Sequence, residues 1–348
     1  MTQKPFKSIN EQIEILKERN LVFSDEEAAK ENLSRYGYYE IINGYKQPFL
    51  KAPYNDNEEF KPKTNFEHLY DLYDLDKNIR AGLMASLEDF EQFFKQAVAY
   101  AVSEKISDDQ KKYLAKSHYN TGSTKKKTKK SDRDTLLFTC NRIITKNCNE
   151  PFKHYREDLH NIPPWILCKG LTFGKAIYWY KLSKPDIRNA VISKLLGLDV
   201  ASLEECSFLK INQFIGDVID IYLNYRNLAA HNGRVYDHRS KKHIMRNSPF
   251  IYNLGVSPDD LGNSQDNDEQ KRKINLSKTQ FSNGVCRSSL GLVLYTMQFF
   301  SNKNPQKILR DNLEVYLKKY LSEYPEDKDF LFDAMEFNNP SFSDLINL

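Results

Sequence analysis

The stretch "YRNLAAHNGR", residues 225–234, places an arginine, an asparagine and a histidine within six positions at what reads as the end of a helix. These three types make a small kit for phosphate chemistry. A guanidinium keeps its charge and offers paired donors to phosphate oxygens. An imidazole changes charge near neutrality and can take or give a proton. A carboxamide can orient either of them. The bland alternative is a solvated helix end, with a polar face and no site.

On a wheel of about 100° per residue, residues 211–231 divide into faces. With Arg226 at zero, Leu228, Ile221, Phe214, Tyr225, Val218, Ala229 and Ile215 fall between roughly 200° and 340°, the core face. Arg234, Asn227, Asp220, His231, Asn224 and Asp217 fall between about 80° and 180°. Asn227 and His231, four apart, can touch, whereas Arg226 must reach across. Ile219, Leu223 and Ala230 make an apolar strip at about 20° to 60°, beside Arg226. Water should not face that strip. A second helix covers it, from the same chain or a partner copy, and these three residues are the expected homodimer interface.

The elements that must position this segment are helices. Gly and Pro number only 13 each, against 21 Tyr and 21 Phe, and periodic apolar segments dominate the chain. That pattern predicts an all-α protein. The expected division is a Tyr-rich helical segment over 1–60, a main helical domain over 61–300 and an acidic helical tail over 301–348. The main domain carries a basic loop over 116–133 and a mobile loop over 256–279. Ser24, three residues before Glu27, reads as the cap of a helix. A long helix, or two in line, starts at Asn65, with Leu69, Leu72, Tyr73, Leu75, Ile79, Leu83, Leu87, Phe90 and Phe94 as its apolar stripe. Asp71, Asp74 and Asp76 read as a solvated face with Lys77 and Arg80 rather than a metal site. Residues 36–49, dense in tyrosine, read as a docking helix or as a base-stacking surface. Trp165 and Trp179 read as core anchors.

Charge is unevenly spread. Residues 101–184 carry 18 Lys/Arg against 8 Asp/Glu, and residues 222–246 carry 6 against Asp237 alone, within a chain of formal charge +4. Such a chain offers one attractive face to a polyanion. Lys125, Lys126, Lys127, Lys129 and Lys130, with Arg234 and Arg239, are the expected RNA contacts. The five scattered cysteines form no CxxC pair, so no disulfide framework, metal site or cofactor is expected. The chain opens on a polar segment, and its longest apolar run, 290–300, is too short for a bilayer. A cytoplasmic protein without membrane contact is expected.

"YRNLAAHNGRVYDHR" resembles the R-N-x-x-x-H signature of HEPN-type ribonucleases. The segments "KPFKSINEQIEILKERNLVFSDEEAAKENLSRYGYY", "FEHLYDLYDLDKNIR" and "PPWILCKGLTFG" resemble, in their order, the blocks of the Abi-like abortive-infection proteins of AbiD/AbiF type. The likeness runs from about Lys4 to Arg239 and is specific only in its motif. Two positions depart from it. Asp237 stands where Asn is expected, and Lys95 follows Glu91 where the earlier helix would carry Arg.

The resemblance implies a helical bundle of HEPN type that pairs so that two motifs share one cleft. It implies a metal-independent endoribonuclease, with Arg226, Asn227 and His231 as catalytic residues. RNA brings its own nucleophile, the 2′-hydroxyl, so the site needs a base, for which His231 is suited, and a cation, Arg226. Asn227 would orient the imidazole, and the products would carry a 2′,3′-cyclic phosphate. It further implies an anti-phage toxin bound to a small structured non-coding RNA, as antitoxin or guide. The type VI CRISPR effectors share the resembled parts. The alternative is a non-catalytic RNA-binding protein whose HEPN face serves only to dimerise, and a third reading is a helical protein-binding scaffold.

Overall fold

A computed structural model describes residues 5–54, 58–124, 126, 129–205, 209–248, 278–339 and 342–347. Among these, helices account for the regular structure and no named strand occurs, as the scarcity of alternating segments predicts. In chain order the helices are α1 (Ile9–Glu18), α2 (Glu26–Tyr36), α3 (Phe66–Lys105), α4 (Gln110–Tyr113), α5 (Asp132–Lys146), α6 (Phe152–Glu157), α7 (Pro164–Gly170) and α8 (Phe173–Leu182). They continue with α9 (Pro185–Leu196), α10 (Val200–Glu205), α11 (Ile211–Ala230), α12 (Lys278–Ser282), α13 (Leu290–Met297), α14 (Asn304–Glu323) and α15 (Lys328–Met335). The loop expected over 256–279 lies, but for its last two residues, outside the described residues.

The mast of the fold is α3, one unbroken helix of 40 residues, about 60 Å long at 1.5 Å per residue. Asn65 caps it by accepting from the His68 backbone N–H at 2.9 Å, and every residue of its expected stripe is buried. Helix α14 runs along it, with the Asn312 side chain filling the space a Cβ on Gly82 would need. The mast also carries α7, α8, α9 and α11.

Toward the far end of α3 the packing is aromatic. The Phe90 ring meets Tyr222 and Phe300 edge-on, each at 4.8 Å between centroids. Phe94 meets Phe173 at 5.8 Å and Tyr180 at 5.7 Å. Each such side chain, fully buried, contributes about 2–3 kcal/mol, so α3, α8 and α11 are held firmly together there. The tyrosines of residues 36–45 are spent in the same way. Tyr36, Tyr45, Tyr70 and Tyr73 form one ring cluster, which docks the N-terminal helices, and only Tyr39 stands clear in solvent.

Asp76 departs from the solvated face expected for it. Its side chain is fully buried and takes four donors. Arg80 reaches it at 2.7 Å, the Tyr45 hydroxyl at 2.7 Å, and the backbone N–H groups of Val235 and Tyr236 at 3.1 and 2.8 Å. Burial pushes its carboxyl above the ordinary aspartate range, against the pull of Arg80. Arg80 is also buried. Asp71 accepts from Tyr324 at 2.6 Å, and Asp74 alone behaves as expected, pairing with Lys77 at the surface at 3.1 Å. The helical spacing of three aspartates concealed that one of them points inward.

Two further expectations are corrected. The cap of α2 is Asp25, which accepts from the Ala28 N–H at 3.0 Å, while the Ser24 N–H goes to Glu67 on α3. Trp179 is buried, but Trp165 is 39% exposed and anchors no core.

The Asp76 cluster yields a stability prediction. Asp76→Ala leaves the Arg80 guanidinium buried without its counter-ion, and one-sided removal of a buried pair costs about 3–5 kcal/mol. Urea unfolding should show that loss as a lower midpoint. Asp74→Ala, in solvent, should shift it by less than about 1 kcal/mol. Equal, small shifts for both would mean that Asp76 does not hold the fold.

Candidate functional site

Of the core face read from the wheel of helix α11, Phe214, Ile215, Val218, Ile221, Tyr225 and Ala229 are buried, with Ile211 and Tyr222 beside them. Leu228 is only half-buried, and Asp217, read on the polar face, is buried against Arg246. The helix ends on a left-handed turn. The Asn232 backbone adopts φ +58°, its N–H bonds the Ala229 carbonyl at 3.2 Å, and the Gly233 N–H bonds the Leu228 carbonyl at 2.8 Å. This pair of bonds is the Schellman closure, in which Asn or Gly takes the left-handed position. A Cβ on Gly233 would collide with the Leu228 side chain. His231 therefore sits fixed at the last helical position, with its side chain in solvent.

Behind the turn the chain is tied down. Arg234 donates to Asp237 at 2.6 Å and to the Gly44 carbonyl, and is partly buried. Asp237, the departure from the resembled pattern, thus has its charge matched by Arg234. His238 contacts Asn224 through its Nε2 at 2.8 Å, and burial holds its imidazole below the ordinary histidine range. It stays neutral and donates its N–H to the Asn224 carboxamide oxygen.

Arg226 leaves α11 in a different direction, toward α3. Its Nε lies 3.7 Å from Glu91 Oε2, too long for a hydrogen bond, and this buried atom has no hydrogen-bond partner among the described residues. The other Glu91 oxygen pairs with Lys95 at 2.6 Å. Glu88, Glu91, Lys95, Lys169 and Arg226 line a cleft of about 410 Å³, with three cations against two carboxylates. The buried Cys168 also lines it. Burial pushes the Cys168 thiol up to about 12, so it remains protonated.

The expected site residues thus part company. Asn227 and His231 are exposed and share a backbone bond, the His231 N–H to the Asn227 carbonyl at 3.1 Å. Arg226, about 140° from His231 around the helix, lines the α3 cleft, and neither Asn227 nor His231 does. Ile219, placed in the dimer strip by its azimuth, is fully buried within the chain, because α3 and α8 cover that side. It cannot face a partner. Leu223 is half-buried beside Gly174 of α8, and Ala230 is exposed.

Of the expected RNA contacts, Arg234 is partly buried and spends donors on Asp237 and the Gly44 carbonyl. Arg239 lies in another cleft of about 860 Å³, with Arg287, and pairs with Glu336 at 3.2 Å. Lys126, Lys129 and Lys130 are exposed, and Lys130 lies 5.3 Å above the Phe138 ring. Lys125 and Lys127 lie outside the described residues. Lys169 and Glu88 are cleft residues that sequence reasoning missed. Their signal was weak, since neither falls at a motif position. His68, Glu326 and Asp327 also converge, with His68 Nε2 2.6 Å from Asp327, which accepts from Tyr320 at 2.6 Å. That contact ties α3 to the C-terminal helices.

Among protein families, the one described as Abi-like protein matches residues 31–237. Neither a curated protein nor a solved structure matches the chain.

The cleft makes its own prediction. Glu91→Gln keeps the shape and leaves three cations against one carboxylate. A partly exposed pair is worth up to about 1 kcal/mol, so inorganic phosphate should bind up to about fivefold more tightly at low salt. The gain should fade at high salt as charges are screened. Calorimetric titration with phosphate measures it. Unchanged affinity at both salts would show that Glu91 does not restrain Arg226.

Proposed function

The chain belongs to the Abi-like protein family, and on that premise we propose that it is a metal-independent endoribonuclease of HEPN type. It acts as the toxin of an abortive-infection or toxin–antitoxin system against phage, in the cytoplasm, with a small structured non-coding RNA as its antitoxin or guide. In this reading it is of AbiD/AbiF type. Among the described residues no helix is long and apolar enough to cross a membrane, which agrees with that setting.

The observation that carries the reading is the state of Arg226. Its guanidinium waits at a cation-rich cleft with an unsatisfied buried Nε, next to Asn227 and five residues before a solvent-facing His231 fixed by its helix cap. In the proposed reaction, the His231 imidazole takes the proton of an RNA 2′-hydroxyl. The freed oxygen attacks the adjacent phosphorus and the bond to the 5′-oxygen breaks. Arg226 neutralises charge gathering on the non-bridging oxygens, and Asn227 orients the imidazole. The departing 5′-oxygen takes a proton from solvent or from the second copy's imidazole. The products are a 2′,3′-cyclic phosphate and a 5′-hydroxyl.

Within one chain Arg226 and His231 diverge, and this favours a composite site. Two copies related by a twofold axis across the exposed end of α11, at Leu223 and Ala230, would bring the cation of one beside the base of the other. The same divergence is what a non-catalytic RNA-binding protein would tolerate, and that is the second reading. Lys125, Lys126, Lys127, Lys129 and Lys130 serve either as contacts to the RNA backbone.

Two experiments test this. Total RNA incubated with the protein in EDTA should yield cyclic-phosphate ends. His231→Ala should abolish them while holding RNA affinity within a few-fold, and Arg226→Ala should lower both. Arg226→Lys should recover binding more than rate, because a point charge lacks the paired donors. Normal cleavage by His231→Ala would remove this motif from the chemistry, and intact binding with no cleavage by the unaltered protein would favour the second reading. Separately, Leu223→Asp should sediment as a folded monomer and lose cleavage. A Leu223→Asp protein that stays dimeric and active would place the interface elsewhere.

A further inference from the structure

Helix α8 packs against α11. The Gly174 position meets the Leu223 side chain, and Lys181 pairs with Asp220 at 2.6 Å. Positions 174, 178 and 181 fall on one stripe of a helix, so Tyr178 lies on the α8 stripe that meets α11 at Leu223 and Asp220. Its ring is 48% exposed, with the Lys175 ammonium 5.8 Å from the ring centre. On α7, Trp165 and Lys169 are four apart on one face, and Lys169 lines the Arg226 cleft. Trp165 is 39% exposed. Two large aromatic faces, each with a lysine on the same helix, therefore stand on α7 and α8, the helices packed against α3 and α11.

A core does not explain them, since both rings are half in water while the neighbouring Trp179 and Tyr180 are buried. Salt pairing does not explain the charge either. Helices α5, α7 and α8 belong to the stretch 101–184, with 18 Lys/Arg against 8 Asp/Glu. Aromatic faces take any nucleobase once it is unstacked, and lysines beside them take the phosphates between. A duplex hides its base faces and would meet only the lysines.

We propose that the α7–α8 face is the entry path for an unpaired RNA strand, with Trp165 and Tyr178 stacking bases and Lys169 and Lys175 holding the backbone that leads to Arg226 and His231. The proposal deepens the ribonuclease reading and rests on it for the identity of the polyanion. A second copy of the chain is the competing occupant of the same face. Charge decides against that, because two copies would bring lysine against lysine.

Trp165 makes the test direct, since Trp179 is fully buried and the two are the only tryptophans. The full chain carrying His231→Ala is titrated in EDTA with single-stranded oligouridylate and with a duplex RNA of equal length, under tryptophan-selective excitation. The single strand should quench the emission, the duplex should not, and Trp165→Phe in the same background should remove the signal. Tyr178→Ala should weaken single-strand binding about tenfold, in the range for one lost stack, while Tyr178→Phe keeps it. Lys175→Ala should lower the salt slope by about one contact. Equal quenching by duplex, or unchanged affinity of Tyr178→Ala, overturns the proposal, as does a Tyr178→Ala protein that turns from dimer to monomer. Quenching without any cleavage by the unaltered protein would sink the ribonuclease reading alone. Cleavage of RNA with a silent Trp165 would sink this path alone.

Discussion

One buried carboxylate organises what surrounds the candidate site. Asp76, deep on α3, holds the N–H groups of Val235 and Tyr236 while Tyr45 and Arg80 complete its shell. Three distant parts of the chain meet on two oxygen atoms: the mast, the N-terminal tyrosine cluster, and the turn four residues after His231. An ionised group without water is costly unless its donors are all in place. The loop behind the motif is therefore fixed by an all-or-none requirement. The Schellman closure at Asn232 and Gly233 fixes its near end, so the His231 backbone is clamped from both sides while its side chain stays free.

Magnitude separates this clamp from the contact at Arg226. The Arg226–Glu91 approach is 3.7 Å, with the arginine side chain about one-third exposed, and such pairs contribute up to about 1 kcal/mol. Glu91 is shared with Lys95, which holds it more closely. Arg226 can leave for a phosphate at small cost, whereas Arg80 cannot leave Asp76. The fold thus spends its strong ion pair on the scaffold and keeps a weak one where an anion is expected.

Much of this was legible in the residues. Helical periodicity gave the class, the long mast and its stripe, and the core face of α11, because one side of each helix must be dry. That the motif closes a helix was legible, and the Asn232–Gly233 turn supplies the physical stop. What escaped depends on contacts between segments far apart in sequence. Asp71, Asp74 and Asp76 look alike by type, and only the arrival of residues 235 and 236 makes Asp76 a buried acceptor. Arg234 reads as a surface cation until Gly44 and Asp237 take its donors. Ile219 reads on a lone wheel as part of a strip that a second helix covers, and only the packing of the whole chain shows that its cover comes from the same chain. Trp165 was misread by the opposite error, since a large ring in a short helix after two prolines need not point inward.

The divergence of Arg226 and His231 ties these points together. A helix places residues five apart about 140° from each other, so a short motif of this spacing cannot by itself close both groups on one phosphate. Under the proposed reading, a second copy supplies the other half of the site. Here the two outlets of the motif open on surfaces of the same kind: the α3 cleft with Lys95 and Lys169, and the α8 stripe with Lys175 and Tyr178. A polyanion spanning both would pass over the end of α11, where Leu223 and Ala230 leave an apolar edge too small to drive stable association alone. Under the proposed reading, a strand that neutralised these lysines would also ease the approach of a second copy at the end of α11, so RNA engagement and pairing would strengthen each other.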